Sequence, residues 1–183
     1  MFIQTEATPN PATLKFLPGR NVLATGSVDM PDAESARRSP LAERLFQVEG
    51  VAGVFLGADF ITVTKRADKQ WDVLKPALLG IIMEHFVANR PLLAEGSVDP
   101  AESAGEEDEV VSQIKELLDT RVRPAVAQDG GDIVFRGFDR GIVYVRLQGS
   151  CSGCPSSTAT LRMGIENMLK HYVPEVMEVR AVQ

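Results

Sequence analysis

Residues 92 to 109 read LLAEGSVDPAESAGEEDE, a stretch with seven acids, no base and one proline among mostly small residues. Such a segment repels itself and has little apolar surface to bury, so it reads as an acidic flexible linker. Flexible over about fifteen residues, it spans roughly 20 to 25 Å by coil statistics. Its end also starts a helix: Ser103 and Glu106 have capping-box spacing, and Glu106 to Glu109 place negative charge where a helix N-terminus is positive. The chain is thereby cut into residues 1–91 and 110–183, and each part must build its own core.

Composition allows this, since an apolar fraction of 44% and a charged fraction of 24% are those of ordinary globular chains. The formal charge of -6 comes from the middle. Residues 1–91 hold ten bases and ten acids, and residues 110–183 hold nine and eight. Neither flank is a basic patch, which argues against nucleic acid and against an anionic membrane surface. No run of eighteen apolar residues is present, and the start MFIQTEATPN lacks the basic and apolar regions of a signal peptide. With only two cysteines the chain is no disulfide framework, so a reducing compartment is expected. The expectation is the cytoplasm, or the mitochondrial matrix for a mature eukaryotic form.

In the first part, MFIQTEATP and ATLKFLPG read as two short strands around the turn-forming Pro9, Asn10 and Pro11. Ser39 before Pro40 is a helix start, with Leu41, Leu45 and Phe46 at helical spacing. VAGVFLGADFITVTK reads as a hairpin around Gly57 to Asp59. A helix from Asp72 or Lys75 to Ala88 follows, with Leu74, Leu78, Ile81, Ile82, His85 and Phe86 on one face. In the second part, Val110, Val111, Ile114, Leu117, Leu118 and Val122 define a helix expected to end near Arg123 and Pro124. IVFRGF and IVYVRL flank a turn at Asp139 to Gly141, a further helix carries Leu161, Ile165, Met168, Leu169 and Tyr172, and VMEVRAV closes the sheet. The fold class is α+β: two small α+β domains, the second running α-β-β-α-β.

Both cysteines fall in QGSCSGCPSST, between a strand and a helix whose first residue is Pro155. Cys151 and Cys154 then adjoin a helix N-terminus, whose dipole favours thiolate over thiol. Gly, Ser and Pro surround the pair instead of periodic apolar residues, which speaks against two small core residues. Three functional readings remain. C-x-x-C is the spacing of dithiol redox sites, although here it follows a hairpin and not the first strand of a βαβ unit. It is also half of a zinc site, for which only His85 and His171 could add ligands. Or two chains pool their pairs around one iron-sulfur cluster, which takes four thiolates. A cluster held across an exposed interface suits storage and delivery more than turnover.

The residues also carry a resemblance. ELLDTRVRPAVAQDGGDIVF, GIVYVRLQGSCSGCPSST and TLRMGIENMLKHYVPEV resemble the NifU C-terminal domain of Nfu-type iron-sulfur cluster scaffold proteins. MFIQTEATPNPATLKFLPG, SPLAERLF and VEGVAGVFLGADFITVTK are similar to the Nfu N-terminal domain. The resemblance covers all but the linker. It implies that Cys151 and Cys154 ligate a 4Fe-4S cluster shared by a homodimer, with 2Fe-2S using the same four thiolates. It also implies upstream cluster-assembly proteins as donors, and recipients among apo-proteins such as lipoyl synthase and aconitase-type enzymes. Ser152 and Gly153 differ from the Thr-Ser of some relatives, at positions that do not ligate. The implied role is a scaffold and carrier, not an enzyme, and the missing leader favours a bacterial cytoplasmic member. The cysteine-free first domain is expected to recognise targets.

Other residues admit plainer readings. Asp129 to Asp132 either guide docking or form a Gly-Gly turn between helix and strand. Arg162 faces an anionic cluster or only solvent. Ser156, Ser157 and Thr158 read as helix-start residues. Trp71 and Phe60 read as core or interface residues.

Overall fold

Pro9 to Pro11 interrupt the first extended run, and the chain reverses there. Thr13 N–H donates to Asn10 O at 3.0 Å and Ala12 N–H to Asn10 Oδ1 at 3.1 Å. Strands β1 (Gln4–Ala7) and β2 (Thr13–Leu17) consequently pair antiparallel, Gln4 opposite Leu17. The structure is a computed structural model describing residues 2–24, 26–94, 109–150 and 155–182, without the side chains of residues 155–158. It divides into two compact units, Met1–Pro100 and Ala101–Gln183.

The first unit is a five-stranded sheet in the order β1-β2-β5-β4-β3, with β3 at Val28–Met30, β4 at Val51–Leu56 and β5 at Ile61–Lys65. Gly57 N–H donates to Phe60 O at 2.9 Å, closing the β4–β5 hairpin. Glycine is needed at its start, because a Cβ on Gly57 would sit 2.4 Å from the Phe60 ring. Helix α1 (Pro40–Phe46) begins as Ser39 and Pro40 predict, with Ser39 Oγ accepting from Ala42 N–H at 3.2 Å. Helix α2 (Trp71–Val87) buries Leu74, Leu78, Ile82, His85 and Phe86. Both helices share one core with Phe16, Val54, Leu56, Ile61 and Val63. Strand alternation turns Lys15 and Phe55 to the opposite face. Phe60 packs there, 5.9 Å from the Phe55 ring and 4.9 Å from Lys15 Nζ. Leu92 and Leu93, assigned to the linker by sequence, pack against this first core, and residues 95–108 lie outside the described residues.

The second unit has the expected α-β-β-α-β order with one departure. Helix α3 (Glu109–Leu117) does not end the helical run. A π-helical turn, Leu118–Val122, leads into α4 (Arg123–Gln128), with Pro124 in the first turn of α4. Arg123 N–H reaches back five residues to Leu118 O. That wider turn starts a new helical segment at a position where proline's missing N–H costs nothing. Strands β6 (Gly131–Asp139) and β7 (Ile142–Gly149) form a hairpin across Arg140 and Gly141, at φ 51° and 80°. Two successive positive-φ residues are what a tight, correctly twisted hairpin turn requires. Helix α5 (Pro155–Tyr172) then crosses back so that β8 (Glu178–Val182) pairs parallel with β7. Ile114, Leu118, Val122, Ile133, Val143, Val145, Ile165, Leu169 and Val179 belong to a core of its own.

Candidate functional site

Cys151 and Cys154 lie outside the described residues. Their frame is described on both sides. Upstream, β7 ends at Gly149, with φ 66°, which pairs with Gly131 at the start of β6. Ser150 N–H donates to Gly130 O at 3.2 Å, and Ser150 Oγ donates to Asp129 O. Downstream, α5 begins at Pro155, directly after Cys154, so the sequence reading of a strand-to-helix junction holds for the flanking elements.

Asp129 to Asp132 is more than a turn. Asp129 and Gly130 make the turn, while Gly131 and Asp132 open β6. Asp132 is 6% exposed, and its carboxylate takes a two-pronged bond from Arg123, Nε to Oδ1 and Nη2 to Oδ2, each 2.9 Å. Oδ1 also accepts from Ile133 N–H at 2.8 Å. Arg123 reaches Asp119 Oδ1 through Nη1 at 3.2 Å. The Asp132 carboxylate, more than offsetting burial, holds the guanidinium well above its ordinary range. This pair escaped the sequence reading, in which Arg123 only marked a helix end. Its one signal is a base and an acid nine residues apart bracketing a helix-to-strand turn.

On α5, Glu166 Oε1 accepts from Lys170 Nζ at 2.6 Å and Oε2 from Val179 N–H at 3.3 Å, tying the helix to β8. The Lys170 bond, then the Val179 bond, hold Glu166 below the usual carboxylate range. Arg162 is exposed on the same helix. Ser156, Ser157 and Thr158 lie in its first turn, as expected of helix-start residues.

The two histidines are placed differently. His85 is 0% exposed, and its Nε2 is 3.0 Å from Pro91 O, an acceptor only, so Nε2 carries the proton. Burial holds its pKa below the ordinary value. His171 is exposed, edge-on to Tyr172 at 5.0 Å. Among the described residues no three His, Cys, Asp or Glu side chains are grouped to hold a metal ion. Trp71 is half-buried against the first core, its Nε1 donating to Pro11 O at 3.1 Å, and Phe60 is buried. No helix among the described residues is long and apolar enough to cross a membrane.

Two α+β units, the second carrying a cysteine pair between strand and helix, define a class. Residues 3–89 match the scaffold protein Nfu/NifU N-terminal family, and residues 114–180 match the NifU-like domain. The chain is 53% identical over 183 residues to a human protein named NFU1 iron-sulfur cluster scaffold homolog, mitochondrial. That match covers 100% of this chain and 72% of the human protein. It is 50% identical over 184 residues to NifU-like protein 5, mitochondrial, of Arabidopsis thaliana, covering 98% of this chain and 67% of that one. The solution NMR structure of a NifU-like protein from Saccharomyces cerevisiae aligns with 52% of this chain and 86% of its own, at 25% identity and a TM-score of 0.47. The chain belongs to the Nfu family of iron-sulfur cluster scaffold proteins. These relatives carry "mitochondrial" in their names, so the expectation of a bacterial cytoplasm finds no support in them.

Proposed function

We propose that the protein carries a 4Fe-4S cluster as cargo between two copies of the chain, each supplying Cys151 and Cys154, and passes it to apo-proteins. The observation that carries this reading is arithmetic: a member of a scaffold family has two cysteines in 183 residues, both in one loop. Four thiolates around a cluster then need a second copy. The start of α5 at Pro155 puts a helix N-terminus next to Cys154 in sequence, which favours the thiolate form that binds iron. The role is a carrier's and not an enzyme's: the two thiolates hold the cargo and give it up by exchange when the copies part or a recipient's thiolates compete. Upstream cluster-assembly proteins supply it, and recipients are apo-proteins of the lipoyl synthase and aconitase types. The cysteine-free first unit selects recipients. The names of the relatives favour the mitochondrial matrix over the cytoplasm as its setting.

Anaerobic reconstitution with iron and sulfide tests the reading. The expected product is a brown dimer with about four irons and four sulfides per two chains. Two irons per dimer would make the cargo 2Fe-2S, and colourless monomer would refute the carrier reading. Insulin reduction by the apo-protein would instead support a dithiol oxidoreductase, and stoichiometric zinc a zinc-bridged dimer. Unchanged delivery to every recipient after deletion of residues 1–91 would remove the role given to the first unit.

A further inference from the structure

We propose that Arg123, Asp132 and Ser150 are positioning residues for the cysteine loop, fixing the chain up to the residue before Cys151 and thereby setting how long the cargo is held. The inference rests on the carrier reading. Three bonding layers converge on that point. Gly131 and Asp132 are paired in register with Gly149 and Gln148, so β6 lies directly against the last residues of β7. One residue further, Ser150 is held twice to the α4–β6 turn, through its N–H to Gly130 O and its hydroxyl to Asp129 O. The turn itself is clamped by the Arg123 fork on Asp132, which joins the first residue of α4 to the second residue of β6. Gly130 to Asp132 therefore receive the arm of the loop, and Arg123 holds them.

A stability role alone does not account for this chemistry. Taking the Asp132 carboxylate out of water against a partly exposed Arg123 is costly, and apolar side chains of similar volume often serve a core equally well or better. A paired fork supplies directionality, because two parallel N–H to O bonds accept one relative orientation of the groups. Asp132 Oδ1 also accepts from Ile133 N–H, in the backbone of the same strand. Orientation is fixed at the end of the sheet that receives Ser150, and the neighbouring residue is Cys151. Groups that orient metal ligands from behind typically change metal retention about 10- to 100-fold when altered.

The test uses the full chain reconstituted with iron and sulfide, and reads the half-life of its visible absorbance under an iron chelator. Arg123→Lys, which keeps the charge and loses the fork, Asp132→Asn and Ser150→Ala should each shorten that half-life about 10- to 100-fold. Ile114→Val, a change in the same core away from the loop, is the matched control for thermal stability. A second readout needs no cargo: the ratio of alkylation rates at Cys151 and Cys154 in the apo-protein, measured by mass spectrometry. Ser150→Ala, the mildest change, should shift that ratio several-fold, while Ile114→Val should leave it alone. Half-lives that follow melting temperature across all four variants, together with an unchanged alkylation ratio, would overturn the inference. Wild-type protein that takes up no iron would instead refute the carrier reading, and the alkylation ratio would still decide the positioning role.

Discussion

The two cores have no residue in common, which makes a sharp prediction about Leu78→Ala. Leu78 is 0% exposed on α2, amid the first unit's core. Removing its side chain forfeits burial and leaves a cavity, at a cost of about 2 to 5 kcal/mol. For a unit of about 100 residues, 1 kcal/mol moves the midpoint by roughly 4 to 8 °C, so its melting temperature should fall by at least about 8 °C. The second unit is built around Ile114, Ile133, Val145, Ile165 and Leu169, and its transition should stay where it is. Differential scanning calorimetry of wild type and variant resolves this, with reconstitution run in parallel. On the carrier reading Leu78→Ala still takes up cargo. Leu169→Ala, equally buried, should lower only the second transition and impair uptake. Both transitions moving together in Leu78→Ala would show that the units unfold as one and sink the reasoning.

Other predictions concern single sites. Either Cys151→Ser or Cys154→Ser removes two of the four thiolates of a two-fold site, so neither variant should yield a stable brown dimer on reconstitution. Gly57→Ala drives a Cβ to within 2.4 Å of the buried Phe60 ring and should cost about 1 to 3 kcal/mol, read as a lower melting temperature of the first unit alone. His85 links the first unit to pH. Burial, with Arg44 and Arg90 nearby and opposed by the Pro91 bond, holds its folded pKa below its value in the unfolded chain, so the folded state binds fewer protons. Its contribution is complete above about pH 6.5 and is lost as pH falls from there toward the depressed folded value. Thermal melts across pH 5 to 8 should show a drop in first-unit stability that His85→Gln flattens.

What the sequence conveyed depended on whether the information was local. The β4–β5 and β6–β7 hairpins, the Ser39–Pro40 helix start and the α5 boundary each rest on a few adjacent residues whose backbone preferences agree with the tertiary structure. Strand β3 is three residues long and exists through its pairing with β4, Val28 opposite Leu56 to Met30 opposite Val54, so no period announces it. Pro124 misled for a physical reason. It cannot continue an α ladder, but the π turn at Leu118–Val122 resets the ladder just before it. Leu92 and Leu93, placed in the linker by sequence, pack against the first core, a contact that no local pattern announces. The two cysteines, outside the described residues, stand out by type and spacing alone, whereas the Arg123–Asp132 fork does not, since a charge pair across a turn leaves no periodic trace.

On the carrier reading the protein must stay folded after its cargo has gone, unlike small domains that depend on a metal to fold. In a zinc finger the binding energy is the folding energy, so removing the metal unfolds the chain. Here the core from Ile114 to Val179 is assembled by apolar side chains of α3, α4, α5 and a three-stranded sheet. The residue before Cys151 is anchored by protein groups, Ser150 to Asp129 and Gly130, and Asp132 to Arg123. On the carrier reading, binding is then spent on joining two copies instead of on folding either one.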